Sequence, residues 1–532
     1  MPARLQDLLD TYLDELWEEQ PVAATVFGVD GYDDRLGDLS ADAHARRERR
    51  DDERLAEFEA VTDDGLSLDD RIDRDLVLSA IRGRQIMRDW ADWKRDPATY
   101  LGPALSGVFT LFLQRLHDDA ELTRCASARL HAVPELLAQG RQNLDPEMAS
   151  TLSIERALGQ CAAGAAYART LVPAEVPDGP LRAELAEAGE VAAAAFEEFH
   201  AHLTALAGKA SGQWAIGEER YSRLLKEKEL LGYGAADMRE RGRAAFDELD
   251  AQMTAVARSL DDGKGDWRAV MEGLNADHPP TPEAMRSEYE EWTEKARQFL
   301  IDHELVTLPP GEKCIVAPSP PFQRPVLAVA SYSTPPAFRP TLVGHFFVPY
   351  PPDGASESDV KKRLETNSRS SIPTIAVHEA YPGHHWHLTW MQQNPRRIRQ
   401  VVRTSYFVEG WGLYAERLLH EQGFFADPRH ELGHLDARIF RAARIIVDTS
   451  LHMGEMDVEE AVAFMQHNAS LSEPTARAEV KRYCSWPTQA SSYLTGSIEI
   501  ERIRAAYLAA GKGDLRSFND AIAGSGGLPI GL

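Results

Sequence analysis

Four histidines fall within ten positions of "TIAVHEAYPGHHWH", residues 374–387. His378-Glu379 opens this stretch as a zinc-hydrolase helix opens. Two histidines four apart share one helix face and grip a metal, and the glutamate beside the first reaches the attacking water. Pro382 stands where the second histidine belongs. Proline there cannot donate to the carbonyl of His378 and its ring collides with it, so the α-helix has to open. Gly383 then gives the backbone freedom to turn back. With Tyr381 and Pro382 extruded as two extra residues, the remainder spells His-Glu-Ala-Gly-His and the ligand spacing is restored. His384 is then the second metal ligand. His385 is the rival: on a straight helix it faces the same way as His378 but about 10 Å along the axis, and only a sharp fold-back brings it in.

A catalytic zinc takes three protein ligands from His, Glu or Asp and leaves a fourth position for water. The third is expected from a neighbouring helix. "SYFVEGWGLYAERLLHEQG" offers Glu409, 25 residues after His384, with Gly410 and Gly412 beside it for close backbone approach. Glu416 lies seven residues further on the same face, placed to hydrogen-bond a ligand histidine from behind. Asp448 and His452 are four apart on a helix and can pair. His452 is then a second oxyanion donor or a substrate contact, its tautomer fixed by Asp448. Arg444, four residues before Asp448, is its candidate ion-pair partner. Arg482, Arg502 and Arg504 are candidates to receive a substrate carboxylate bidentately, although an ordinary surface arginine is the plainer reading of each. The plain reading of the histidine run is a surface tract that binds metal adventitiously. Against it, chance rarely couples a helix-breaking proline to a glycine and paired histidines.

These residues need helices to hold them, and most of the chain has helical periodicity. "DLLDTYLDELW", "RIDRDLVLSAIRGRQI" and "AELAEAGEVAAAAFEEFHAHLTAL" carry apolar residues three and four apart with charges between. Turn chemistry separates such runs, as in "VPDGP" (176–180) and "DDGKGD" (261–266). Around 305–355, β-prone pieces ("CIVA", "VLAVASYS", "TLVGHFFVPY") alternate with prolines that confine them to edges or a small sheet. The fold expected is mainly α, a large multi-helical protein with a small β-sheet beside the active-site helix, a layout familiar from metallopeptidases. Two lobes are expected: an N-terminal helical lobe over 1–210, and a catalytic lobe over 211–532 holding the sheet and zinc-site helices at about 370–510.

The 532 residues are 43% hydrophobic and 27% charged, with a formal charge of −26. That balance argues against nucleic-acid and anionic-membrane partners, which need basic surface. Cys125, Cys161, Cys314 and Cys484 lie far apart with no CxxC pair, against a disulfide framework or a cysteine zinc site. The opening "MPARLQDLLDTYLDELWEEQ" reads as an acidic amphipathic helix without the basic and apolar regions of a secretion signal. No stretch reaches the roughly 18 apolar residues of a membrane span. A soluble, cytoplasmic protein, monomer or homodimer, is the expectation.

"HEAYPGHH" (378–385) and "EGWGLYAE" (409–416) resemble HEAxPGHH and EGWxxYxE of the bacterial family called domain of unknown function 885, placed among gluzincin-type zinc peptidases. "RAARIIVDTSLH" (441–452) and "RYCSWPTQASSYLTG" (482–496) resemble two further family segments, and "IGEERYSRLLKEKELL" (216–231) and "PVAATVFGVDGYDDRL" (21–36) match weaker ones. The chain departs from the family at Ser450 and Thr488, near which glycine is expected. The resemblance implies a gluzincin-like fold and hydrolysis of peptide or amide bonds. It also implies that Tyr493, by itself a plausible core residue, donates to the oxyanion opposite the metal.

The function expected is a zinc (Zn2+) metallopeptidase acting on short peptides. His378, His384 and Glu409 hold the metal, and Glu379 takes the proton of water and passes it to the leaving amine. Two other functions fit the same letters. One is an amidase that removes an aminoacyl or acyl group from a small metabolite. The other is a non-catalytic helical binding module with a vestigial zinc, against which the intact Glu379 speaks.

Overall fold

The computed structural model describes residues 3–320, 323–324, 329–352, 354–469 and 471–532, and these are mainly helical with one small sheet. The spacing rule works visibly in the first helix, Ala3–Glu19. Leu5, Leu9, Leu13 and Trp17 line its buried side, while Asp7, Asp14 and Glu18 face solvent. Burial of such side chains stabilises the fold by about 2 kcal/mol each.

The described residues form two compact units, 1–216 with 336–340, and 217–335 with 341–532. In the first, Ser40 and Ser67 cap the Ala41–Glu59 and Leu68–Arg88 helices, Ser67 in a reciprocal capping box with Asp70. The segment 21–36 is held by Arg129, which is fully buried and donates to Thr25 Oγ1 (2.6 Å), Arg35 O (3.0 Å) and Tyr32 O (3.1 Å). Thr25 in turn bonds Asp33 (2.6 Å). This motif therefore reads as architecture within its own unit.

In the second unit the helices Ser405–Glu421 and Ser492–Ala509 pack along each other, and the long Pro428–Met453 helix packs on Ala235–Ala257. Two glycines let the first pair touch. A β-carbon on Gly496 would lie 1.9 Å from Tyr406 O, and one on Gly410 would lie 2.6 Å from Gly496 Cα. The sheet has three strands in the order β1 (Lys313–Pro318), β3 (Val343–Val348), β2 (Ser331–Ser333), parallel between β1 and β3 and antiparallel between β2 and β3. The first three residues of the expected strand piece 326–333 lie outside the described residues. All four cysteines are free. Among the described residues no helix is long and apolar enough to cross a membrane.

Candidate metal centre

The Ile372–Glu379 helix ends at Glu379 and a new helix, His384–Met391, begins five residues later. Tyr381-Pro382, joined by a cis peptide bond, lies in the gap. The hydrogen bonds Gly383 N–H to Val377 O (3.1 Å) and Trp386 N–H to Ala380 O (3.1 Å) each span six residues instead of four. Two extra residues inserted into a helix have this effect. Trp411 Nε1 donates to Pro382 O (2.7 Å) and pins the excursion. Gly383 is required there, because a β-carbon would sit 1.9 Å from His378 O.

The excursion brings His384 beside His378, with ring centroids 4.8 Å apart at 89°. One ligand atom from each of His378, His384 and Glu409 falls within 4.8 Å of the others. His384 Nε2 is 3.5 Å from Glu409 Oε2. His378 Nδ1 is already engaged by Glu416 Oε1 at 2.7 Å, which turns Nε2 to the cluster and fixes the tautomer. Two imidazoles and a carboxylate suit a divalent transition metal, zinc foremost. His384 Nδ1, buried without a partner, shows how little else in the protein claims that ring.

The neighbouring histidine goes elsewhere. His385 Nε2 donates to Glu312 Oε2 (2.8 Å) and its Nδ1 meets Tyr332 OH (2.9 Å). Glu312, just before β1, also accepts from Tyr381 OH (2.5 Å) and Arg297 Nε (2.9 Å). Burial works to raise the Glu312 carboxyl, but the bonds from His385 and Tyr381 outweigh it and hold it below the usual range. The sheet thus anchors the wall of the site behind the metal cluster.

Electrostatics separate the carboxylates. Burial drives Glu379 up to about 7, with the charge of His384 opposing. Burial also works to raise Glu409, which is less enclosed, yet its contact with His384 overrides burial and holds it at about 2. Burial pushes His378 down, assisted by the charge of His384. In His384 the contact with Glu409 wins over burial and raises it. A carboxyl group poised near neutrality beside an ionised one is an acid–base arrangement.

Tyr493 stacks on His378 with ring centroids 6.5 Å apart at 22°. Its hydroxyl accepts from Gln489 Nε2 (3.2 Å), and burial pushes it up to about 12, so it stays a neutral donor. Thr488, near which glycine is expected, has φ +70, a conformation that strains a β-branched residue.

Several expected residues bond to partners outside the cluster. His452 is fully buried and its Nε2 meets Tyr483 O (3.0 Å) and Asp448 Oδ1 (3.6 Å). Asp448 belongs to a separate buried network, accepting from Tyr221 OH at 2.7 Å. Tyr221 was missed by spacing arguments because it arrives from the segment 216–231, whose letters carry no chemistry of their own. Arg444 does not pair with Asp448 as expected. Glu479 takes it at 2.8 Å, because that carboxylate also gathers Arg482 (3.0 Å) and Tyr483 OH (2.6 Å). Arg502 is exposed and paired with Glu499 (2.8 Å), and Arg504 with Glu421 (2.9 Å).

Two solved structures share the fold over almost their whole length. One is "a putative lipoprotein of unknown function from Shewanella oneidensis": TM-score 0.80, 21% identity, 99% of this chain and 98% of that one covered. The other is "the putative lipoprotein from Colwellia psychrerythraea": TM-score 0.83, 18% identity, 100% of this chain and 98% of that one. Both are described as lipoproteins, proteins held at a membrane by lipid rather than residing in the cytoplasm, and that finding overturns the cytoplasmic expectation. No protein of curated function matches the chain. The family model described as "Bacterial protein of unknown function (DUF885)" matches residues 21–532, and the chain belongs to that family.

Proposed function

We propose that this chain is a metal-dependent hydrolase of peptide bonds in short peptides, a relative of the gluzincin peptidases. His378, His384 and Glu409 would hold zinc, which supplies Lewis acidity to a carbonyl and acidifies water. The observation that carries this reading is one arrangement: three ligand atoms within 4.8 Å of one another, beside a buried glutamate raised to about 7.

The chain's own residues then divide the work. Glu379 takes the proton of the attacking water and delivers it to the departing amine. Glu416 orients His378, and His385, clamped by Glu312 and Tyr332, fixes the backbone from which His384 projects. Tyr493 offers a neutral hydroxyl to the oxygen on which negative charge develops.

Metal analysis of the purified protein, followed by a screen on mixed short peptides with and without chelator, tests the reading. One equivalent of zinc and hydrolysis that chelator abolishes are expected. Metal-free protein that binds no added zinc would refute it.

A further inference from the structure

Arg441 stands in this neighbourhood without an anion. Its Cζ is 5.9 Å from the centroid of the Tyr493 ring, which itself stacks on His378. One turn further along the helix, Arg444 is paired with Glu479 (2.8 Å) and also donates to Tyr483 OH (3.1 Å). Arg441 makes one hydrogen bond, from a terminal nitrogen to Ala437 O in its own helix (3.1 Å), and its Nε is buried with no partner. No carboxylate pairs with it among the described residues.

The acids nearby are spoken for. Glu416 is bonded to His378, and Glu479 to Arg444 and Arg482. Asp436, five residues earlier on the same helix, makes no ion pair with Arg441, and burial pushes it up to about 7. Burial, and then the charge of Arg444, hold the Arg441 guanidinium below its ordinary value. A guanidinium nitrogen buried without a partner is unfavourable. Such a group persists where a ligand supplies the missing charge.

We infer that Arg441 receives the C-terminal carboxylate of the substrate, which makes the chain an exopeptidase acting at the C-terminal end. The inference rests on the hydrolase reading above. Planar guanidinium–carboxylate pairing is bidentate and directional. The two ring distances cap the separation of the Arg441 guanidinium from the His378 ring at about 12 Å, so a carboxylate held there lies within about three extended residues, at about 3.5 Å each, of the ligand cluster. In the step itself, water gives its hydroxyl to the acyl carbon, the C–N bond breaks, and Glu379 carries the proton to the amine, with no other reactant consumed.

The test compares a mixed tripeptide pool bearing free C-termini with the same pool amidated. The zinc-loaded wild-type chain should cleave the free acids about 30-fold faster in kcat/KM, the worth of a charge-assisted hydrogen-bonded pair. In Arg441→Met the ratio should fall below about 3, chiefly through KM, and Arg441→Lys should keep part of it. Equal cleavage of both pools by the wild-type chain overturns the inference and leaves the hydrolase reading standing. So does a preference that instead follows acidic side chains. If neither pool is cleaved, the peptidase reading fails. Calorimetric titration of Glu379→Gln with acetyl-Ala-Ala-Phe and its amide then decides: tighter binding of the acid supports the carboxylate site, and equal or absent binding overturns it.

Discussion

Gly412 and His378 approach so closely that no β-carbon fits between them: an added one would meet the imidazole Cε1 at 2.5 Å and Nε2 at 2.8 Å. The Ser405–Glu421 helix therefore presents bare backbone to the ring while Glu416, one turn later, grips its other nitrogen. Gly412→Ala is expected to push the ring from the cluster and lower zinc content by roughly 10-fold or more, the scale at which supporting-shell changes act. Metal analysis checks this, with far-ultraviolet circular dichroism to show that the helices survive.

Glu379→Gln keeps the size of the side chain and removes its basicity. Zinc content should stay at the wild-type level while peptide hydrolysis falls by about 10²–10⁴-fold. Wild-type turnover in that variant would end the role of Glu379 as base.

His384→Ala and His385→Ala separate two adjacent rings with different tasks. The first should lose zinc. The second should keep it but unfold at lower denaturant concentration, by about 2 kcal/mol, because Glu312 and Tyr332 each lose a buried partner. Parallel metal and denaturation measurements distinguish them, and zinc loss only in His385→Ala would reverse the ligand assignment.

The excursion at Tyr381-Pro382 was legible because proline at 382 makes a continuous helix impossible, whatever the rest of the chain does. Glu416 was legible for a similar reason: seven residues make nearly two turns and return a side chain to the same face. Arg444 was misread. Spacing along one helix offered Asp448, whereas Glu479 belongs to another helix and only packing reveals it. The fate of His385 was equally hidden, since its partners Glu312 and Tyr332 lie 73 and 53 residues away in sequence. Arg441 was overlooked because what marks it is the absence of a partner, which no single sequence displays.

Thr488 holds φ +70, a left-handed conformation that glycine adopts without strain. Thr488→Gly should relieve the strain and raise stability by about 1 kcal/mol. Chemical denaturation of the two proteins measures it, and a destabilised variant would show that the threonine side chain contributes more than its backbone loses.

His44 stacks on Trp93 with ring centroids 4.7 Å apart at 9°, and burial holds it down to about 4 from an ordinary value of 6.5. The native protein therefore resists a proton that the unfolded chain accepts. The contribution of His44 to stability is complete above pH 6.5 and declines as pH falls toward about 4. His44→Phe keeps the stack and removes the titration, so its denaturation midpoint should fall less steeply than the wild type's across that window. Identical slopes would dismiss the prediction.

The small sheet acts as a spacer bar. Gly344 on β3 leaves just enough room for the Tyr332 phenol, since a β-carbon there would sit 1.8 Å from its oxygen, and that oxygen props His385 from behind. The propped ring of His385 and the ring of His384 in the candidate cluster are successive residues of one chain. The clearance between two strands is thereby passed, through a single peptide unit, to the backbone that carries His384.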